Sequence, residues 1–228
     1  EIKLSSFGRR TVLSLRQNLA SRILDLEKAN LYEKYSEKVG EIVTGEVYQV
    51  WKKEILVLDD EDNELILPKS EQIPNDFFRK GDSIRAIVAR VEMINNTPRI
   101  ILSRTANEFL ERLFEQEVPE IFDGTIEIKS VSREAGSRTK IAVFSKEEDV
   151  DPVGACIGPR GQRVSNIVDA LGGEKIDIVK YNDDVPTYIA AALAPADVVG
   201  VEILDEEARS CRATAVSYTH LRAHETGR

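Results

Sequence analysis

Apolar positions change their spacing twice along the chain. Up to the mid-thirties, Val12, Leu15, Leu19, Ile23, Leu26 and Tyr32 recur at helical spacing, which predicts one long helix beginning near Phe7. At 1.5 Å per residue such a helix reaches roughly 40 Å. Residues 1–5 alternate weakly, like the end of a strand. From residue 39 to 104 the pattern turns to short apolar runs. Those at 42–50, 54–58, 64–67, 83–91 and 99–102 predict five strands. Turn chemistry separates them at 60–63, at Gly81-Asp82 and at 95–98. Beyond 105 helical and alternating spacings mix. A helix is expected over 105–116 with Phe109, Leu110, Leu113 and Phe114 inward, then strands over 125–132 and 139–145. Val153, Cys156 and Ile157 mark a short helix. Val164, Ile167, Val168 and Leu171 mark a second, stopped by Gly172-Gly173. A strand follows from Lys175, with Ile176 and Ile178 on one face. After Pro186 a short helix over 187–194 and strands over 198–204 and 208–216 begin another unit.

The fold class expected is α+β and multidomain. Five strands at this spacing fit an OB barrel. Helix, strand, strand, helix, helix, strand is the order of a type II KH domain. The short segment Gly158-Pro159-Arg160-Gly161 sits where the two paired helices meet. Two glycines let a backbone approach closely, and the amides opening the next helix favour negative charge. Arg160 and Arg163 add positive charge, and residues 153–165 hold no Asp or Glu. The loop therefore reads as a cradle for the phosphates of a nucleic-acid strand. Ile157, Val164, Ile176 and Ile178 are candidates for the apolar groove beside it; some of them must serve as core. For Arg160 the competing reading is a plain exposed loop cation.

Charge and composition narrow the classes. The 228 residues carry a formal net charge of -9 and 42% apolar content, so nucleic-acid binding has to use local patches. Two cysteines, Cys156 and Cys211, offer no disulfide framework, and Cys156 lies on an apolar helix face. No apolar run approaches the roughly 18 residues needed to span a bilayer, and no signal peptide opens the chain, so a cytoplasmic protein without a membrane partner is expected. No enzyme is expected either. Both histidines, His220 and His224, fall in the last twelve residues, which leaves no Ser/His or Cys/His pair in the domains. Gly161 is not followed by Lys-Ser or Lys-Thr, as a nucleotide-hydrolase loop requires. Two histidines four apart fall short of a zinc site. No metal and no cofactor are expected.

Three stretches carry a specific resemblance. They are Asp151-Pro-Val-Gly-Ala-Cys-Ile-Gly-Pro-Arg-Gly-Gln-Arg-Val164 with Gly173-Glu-Lys-Ile-Asp-Ile-Val179, Phe114-Glu-Gln-Glu-Val-Pro-Glu-Ile-Phe-Asp-Gly-Thr-Ile-Glu-Ile-Lys129, and Arg138-Thr-Lys-Ile-Ala-Val143. They resemble the first KH domain of the NusA family of bacterial transcription termination/antitermination factors. Leu67-Pro-Lys-Ser-Glu-Gln-Ile-Pro74 and Gly81-Asp82 resemble that family's S-one-type OB domain. The resemblance runs from about Ser6 to about Thr214. It implies five segments: 1–38, the end of a polymerase-docking domain and its connecting helix; 39–104, the barrel; 105–182, the first KH domain; 183–216, a truncated second KH domain; and 217–228, a tail foreign to the family that resembles translated cloning-adaptor sequence. It implies truncation at the start as well.

The function implied is RNA-binding modulation of pausing, termination and antitermination, with single-stranded nascent RNA and RNA polymerase as partners. The barrel departs from the wider S-one pattern. The usual aromatics are absent over 54–58, and Pro68 stands where many relatives carry histidine. Tyr48, Trp51, Phe77 and Phe78 remain as stacking candidates, with Arg85 and Arg99 among the cations; Tyr48, Trp51, Arg85 and Arg99 are the barrel residues expected to touch RNA. Two other readings stay open: an S-one/KH accessory subunit of an RNA-degrading assembly, and an acidic scaffold for basic protein partners.

Overall fold

The computed structural model describes residues 8–205 and 210–216. The chain divides into two compact units at Arg112/Leu113. The possible strand at 1–5 and both histidines lie outside the described residues.

In the first unit the alternation of apolar residues closes a barrel. Its strands are β1 (Ile42–Val50), β2 (Glu54–Leu58), β3 (Glu64–Pro68), β4 (Ser83–Ile94) and β5 (Thr97–Ser103). The order is β1-β2-β3-β5-β4, with β4 returning to pair with β1. All pairings are antiparallel except β3 with β5. Residues two apart on each strand point inward: Leu65 and Leu67, then Ile84, Ala86 and Val88, then Ile100 and Leu102. Gly45 is fixed by this closure. A Cβ there would fall 2.5 Å from the Leu58 carbonyl oxygen and 2.6 Å from a Val57 methyl.

Strand β4 extends three residues past the expected 83–91, and β5 starts at Thr97. The turn between them shrinks to Asn95-Asn96, both at positive φ, as a tight two-residue hairpin requires. Arg104, just after β5, is buried. Its guanidinium donates to both carboxylate oxygens of Asp76, at 2.6 and 3.1 Å.

Helix α1 (Arg9–Glu37) is as long as its periodicity predicts, but the stripe is not buried. Leu15, Leu19, Ile23 and Leu26 are exposed, and Tyr35 is the one buried residue of the helix. The reason is reach: only the second half of the helix meets the barrel, where Asp25 accepts from the Asn96 side chain at 3.2 Å and Leu31 and Tyr35 join the core. The Tyr35 hydroxyl donates to Asp59, which also accepts from the Asn63 backbone N–H at 2.8 Å and side chain at 2.9 Å. Burial and then the neighbouring Asp59 carboxylate push the tyrosine's pKa up. Tyr35→Phe is expected to lower the first unit's stability by about 1.5–3 kcal/mol, the net worth of one hydrogen bond to a charged acceptor. A urea titration followed by the fluorescence of Trp51 checks this.

The second unit follows helix α2 (Asn107–Glu117), within which the division falls. A four-residue helix, α3 (Pro119–Phe122), comes next and was not expected from the pattern. Strands β6 (Ile126–Glu134), β7 (Arg138–Ser145) and β8 (Lys175–Lys180) form a three-stranded sheet with β7 central and β8 parallel to it. Helices α4 (Pro152–Ile157) and α5 (Gln162–Ala170) lie between β7 and β8 in sequence and pack on that sheet. Leu113, Phe114, Val118, Ile126, Ile141, Val143, Cys156, Ile167 and Leu171 are buried. This is the type II order expected.

Beyond β8 the second unit continues with α6 (Val185–Ala192) and the hairpin of β9 (Val198–Asp205) and β10 (Ser210–Ala215). Strand β10 is exposed throughout. Helix α6 is better held. Lys140 on β7 donates to the Ala192 and Ala194 carbonyls at 2.6 Å each, and the Tyr181 and Tyr188 rings meet at a tilt of 55° with their centres 5.2 Å apart.

Candidate nucleic-acid interface

The glycine loop is built by the ends of two short helices. Asp151 caps α4, accepting from the N–H groups of Val153 and Gly154 at 3.2 and 3.1 Å, and Pro152 supplies the first helical φ. The helix stops at Gly158, whose φ of 73° no ordinary side chain adopts comfortably. Pro159, Arg160 and Gly161 make one tight turn, with Arg160 at φ 56° and Gly161 at φ 75°. The Gly161 N–H closes the turn on the Gly158 carbonyl at 3.1 Å. Helix α5 then opens with no acidic residue in its first turn.

The two arginines expected at this loop sit differently. Arg160 is exposed at the tip of the turn. Arg163 is turned back beneath it. Its guanidinium donates to Glu120 on α3 at 3.0 Å and to the Ala155 carbonyl at 2.7 Å. Its methylenes lie under Gly158, so a Cβ on that glycine would fall 2.6 Å from Cγ and 2.7 Å from Cδ. Arg163 is thus a strut that holds the loop up, while Arg160 is the cation presented to solvent. Sequence spacing gives no sign of this division, because side-chain direction depends on the partner, Glu120, forty-three residues away.

The apolar candidates lie on the two helices that flank the loop and on the strand beneath those helices. Ile157 is 38% exposed at the end of α4. Val164, Ile176 and Ile178 are half-buried, on α5 and on β8, the strand against which both helices pack. Cys156 beside them is buried, and burial pushes its thiol up to about 12, which makes it an inert core residue.

The barrel candidates do not gather into one site. Arg99 on β5 is ion-paired with Glu54 at 3.0 Å. Arg85 lies on β4 opposite Thr44 of β1, half-buried. Tyr48 and Trp51 are exposed near the far end of β1, at 47% and 44%. Tyr48 instead meets a cation that the spacing did not single out, Lys80, whose ammonium lies 4.9 Å from the ring centre.

A glycine loop between two short helices on a three-stranded α-β-β-α-α-β sheet defines the domain type, and residues 104–181 match the family described as NusA-like first KH domain. Outside that domain the likeness continues. The chain is 44% identical over 207 residues to the transcription termination/antitermination protein NusA of Halalkalibacterium halodurans, and 42% identical over 207 residues to that of Bacillus subtilis. Each alignment covers 91% of this chain. The chain belongs to the NusA family. The NusA of Thermus thermophilus is 38% identical over 226 residues, 99% of this chain. The chain spans a little over half the length of these three relatives, 54%, 56% and 58%. Among the described residues no helix is long and apolar enough to cross a membrane.

Proposed function

We propose that this chain is the RNA-contacting segment of a bacterial transcription factor that modulates pausing, termination and antitermination. Single-stranded nascent RNA is its ligand and RNA polymerase the assembly it serves, in the cytoplasm. The observation that carries this reading is the Gly158–Gly161 turn: two glycines at positive φ, one exposed arginine at the tip, and no carboxylate in the loop or the first turn of α5. Such a turn accepts a phosphodiester backbone at close range, while Ile157, Val164, Ile176 and Ile178 offer an apolar floor for bases. Family membership supports the reading, because the relatives are named as termination/antitermination proteins. A net charge of -9 confines the contact to local patches, so affinity rests on a few phosphates and on joining weak modules in one chain.

The test is fluorescence anisotropy of a labelled single-stranded RNA of about ten nucleotides at 50 and 200 mM salt. Two to four phosphate contacts predict an affinity loss of roughly 7- to 50-fold across that range. Absence of binding at low salt, or binding without salt dependence, would overturn the reading in favour of a protein scaffold.

A further inference from the structure

We propose that Glu120, on α3 and outside the glycine loop, is a positioning residue for RNA. Through Arg163 it fixes the support beneath the Gly158–Gly161 turn, and Arg163 directs its charge at the protein rather than at a phosphate. This inference rests on the proposed RNA-binding function and deepens it, because it places one determinant of affinity on a separate helix that no nucleotide needs to touch.

Three observations carry it. The first is a carbonyl that the sequence deprives of its helical donor. At the end of α4 the Gly158 N–H donates to the Gly154 carbonyl at 2.9 Å. The next carbonyl, that of Ala155, would meet the N–H of residue 159, but Pro159 has none. Arg163 Nη1 fills that place at 2.7 Å. The proline that turns the chain into the loop thus makes α4 depend on a side chain from α5.

Second, that side chain is aimed by a carboxylate. Arg163 Nη1 also donates to Glu120 Oε2 at 3.0 Å, and the two side chains are only 26% and 33% exposed. Three residues further along α5, Asn166 donates to Glu117 at 2.9 Å and accepts from Gln162 at 2.8 Å. Residues 163 and 166 share one face of α5. Glu117 ends α2 and Glu120 lies in α3, so two carboxylates at that junction hold this face in place.

Third, Gly158 rests on the Arg163 stem. The space a Cβ would need at Gly158 is taken by Cγ and Cδ of Arg163, at 2.6 and 2.7 Å. A displaced stem removes what Gly158 rests on, and the Gly158 carbonyl is the group on which the Gly161 N–H closes the turn, at 3.1 Å. A turn held in its binding shape in advance loses less entropy when a phosphate arrives.

Charge makes the role decidable. Were Arg163 a cation held ready for phosphate, removing Glu120 would free it, and RNA would bind more tightly with a steeper salt dependence. With Glu120 as the positioning residue, its removal weakens binding even though the protein becomes less negative. The two roles predict opposite signs.

The experiment compares the full chain with Glu120→Ala, Glu120→Gln, Arg163→Met and the double variant Glu120→Ala/Arg163→Met. Each is read by anisotropy of a short labelled single-stranded RNA at several salt concentrations and by amide hydrogen exchange. Glu120→Ala is expected to weaken binding about tenfold, the equivalent of one hydrogen bond to a charged group, with the salt slope unchanged. Glu120→Gln, whose amide oxygen still accepts from Arg163, recovers most of the affinity. Arg163→Met keeps an aliphatic stem under Gly158. It weakens binding to a similar extent at unchanged slope, and the double variant is no worse than either single one, as expected of two residues acting as one unit. Exchange at the Gly161 amide accelerates in Glu120→Ala while the amides of β6, β7 and β8 keep the parent's rates.

Tighter binding by Glu120→Ala, or a salt slope smaller by about one in Arg163→Met, makes Arg163 a phosphate contact and overturns the positioning role. Exchange that accelerates throughout β6–β8 overturns it in favour of general stabilisation. A parent that binds no RNA overturns the proposed function instead. The exchange data then decide alone: acceleration confined to the turn upholds Glu120 as its support, and an unchanged Gly161 amide overturns that too.

Discussion

Arg160→Asp is expected to weaken binding of single-stranded RNA by about 10- to 100-fold while leaving the fold intact. Arg160 is the exposed cation at the tip of the glycine turn. A charge-assisted hydrogen bond to phosphate contributes about 1.5–3 kcal/mol, and reversing the charge adds repulsion to that loss. The backbone tolerates the change, since Arg160 sits at φ 56°, ψ 23°, and Asp is among the residues that accept a left-handed conformation. A substitution at Gly158 is a poorer probe. It would combine positive-φ strain with a Cβ lodged against the Arg163 methylenes, displacing the strut to Glu120, so loop collapse and lost phosphate contact would look alike. The measurement is anisotropy at several salt concentrations together with a denaturation curve. The expected variant unfolds with the parent, binds more weakly at low salt, and shows a salt slope smaller by about one. Equal binding by parent and variant would make the turn a structural one.

The barrel and the sheet of the second unit were legible because both are written in near-neighbour patterns. Alternation at Leu65 and Leu67 or at Ile84, Ala86 and Val88 requires only that one face be buried. The glycine loop was legible for a related reason: two glycines and a proline within four residues leave few backbone paths. What was hidden depends on partners far away in sequence. Whether Leu15, Leu19 and Ile23 are covered is decided by what lies beside the helix, and the same stripe would read identically on a buried one. Helix α3 is four residues long, too short to show a period, and its signal was only Val118-Pro119. The strut role of Arg163 required Glu120. The pairing of Tyr48 with Lys80 required the Gly81 turn to fold back on Val47. Charged residues are ordinarily solvated, so a sequence gives no reason to single out Asp76 for Arg104, twenty-eight positions away.

The most costly of these hidden pairs joins the two edges of the second unit's sheet. Glu174, just before β8, is fully buried and accepts from Arg133 Nε at 2.9 Å and Nη2 at 3.0 Å, from the Gly136 N–H at 2.9 Å, and from the Thr139 hydroxyl. One carboxylate thus ties the last residues of β6, the hairpin after it and the start of β7 to the entry of β8. Its position matters to the loop as well, because β8 is the strand on which α4 and α5 rest.

Glu174→Gln keeps the shape and removes the charge. The Arg133 guanidinium, 1% exposed, would then face a neutral amide. Breaking a buried pair from one side costs about 3–5 kcal/mol, a large share of a small domain's stability. Hydrogen exchange should therefore accelerate across β6, β7 and β8 and stay unchanged across β1–β5. Burial raises the Glu174 pKa, but Arg133, the Gly136 N–H and Thr139 together lower it further, so the net shift is below the ordinary value of 4.5. A lowered folded-state pKa means stability that is fully present above the unfolded value and is lost as pH falls through the folded one. The parent's second unit should accordingly weaken below about pH 4.5, and the Gln variant, already lacking the charge, should lose less over the same range. An acid limb of equal depth in both proteins would place the sensitivity on other carboxylates, and a Gln variant as stable as the parent would mean that Arg133 is neutralised by another partner.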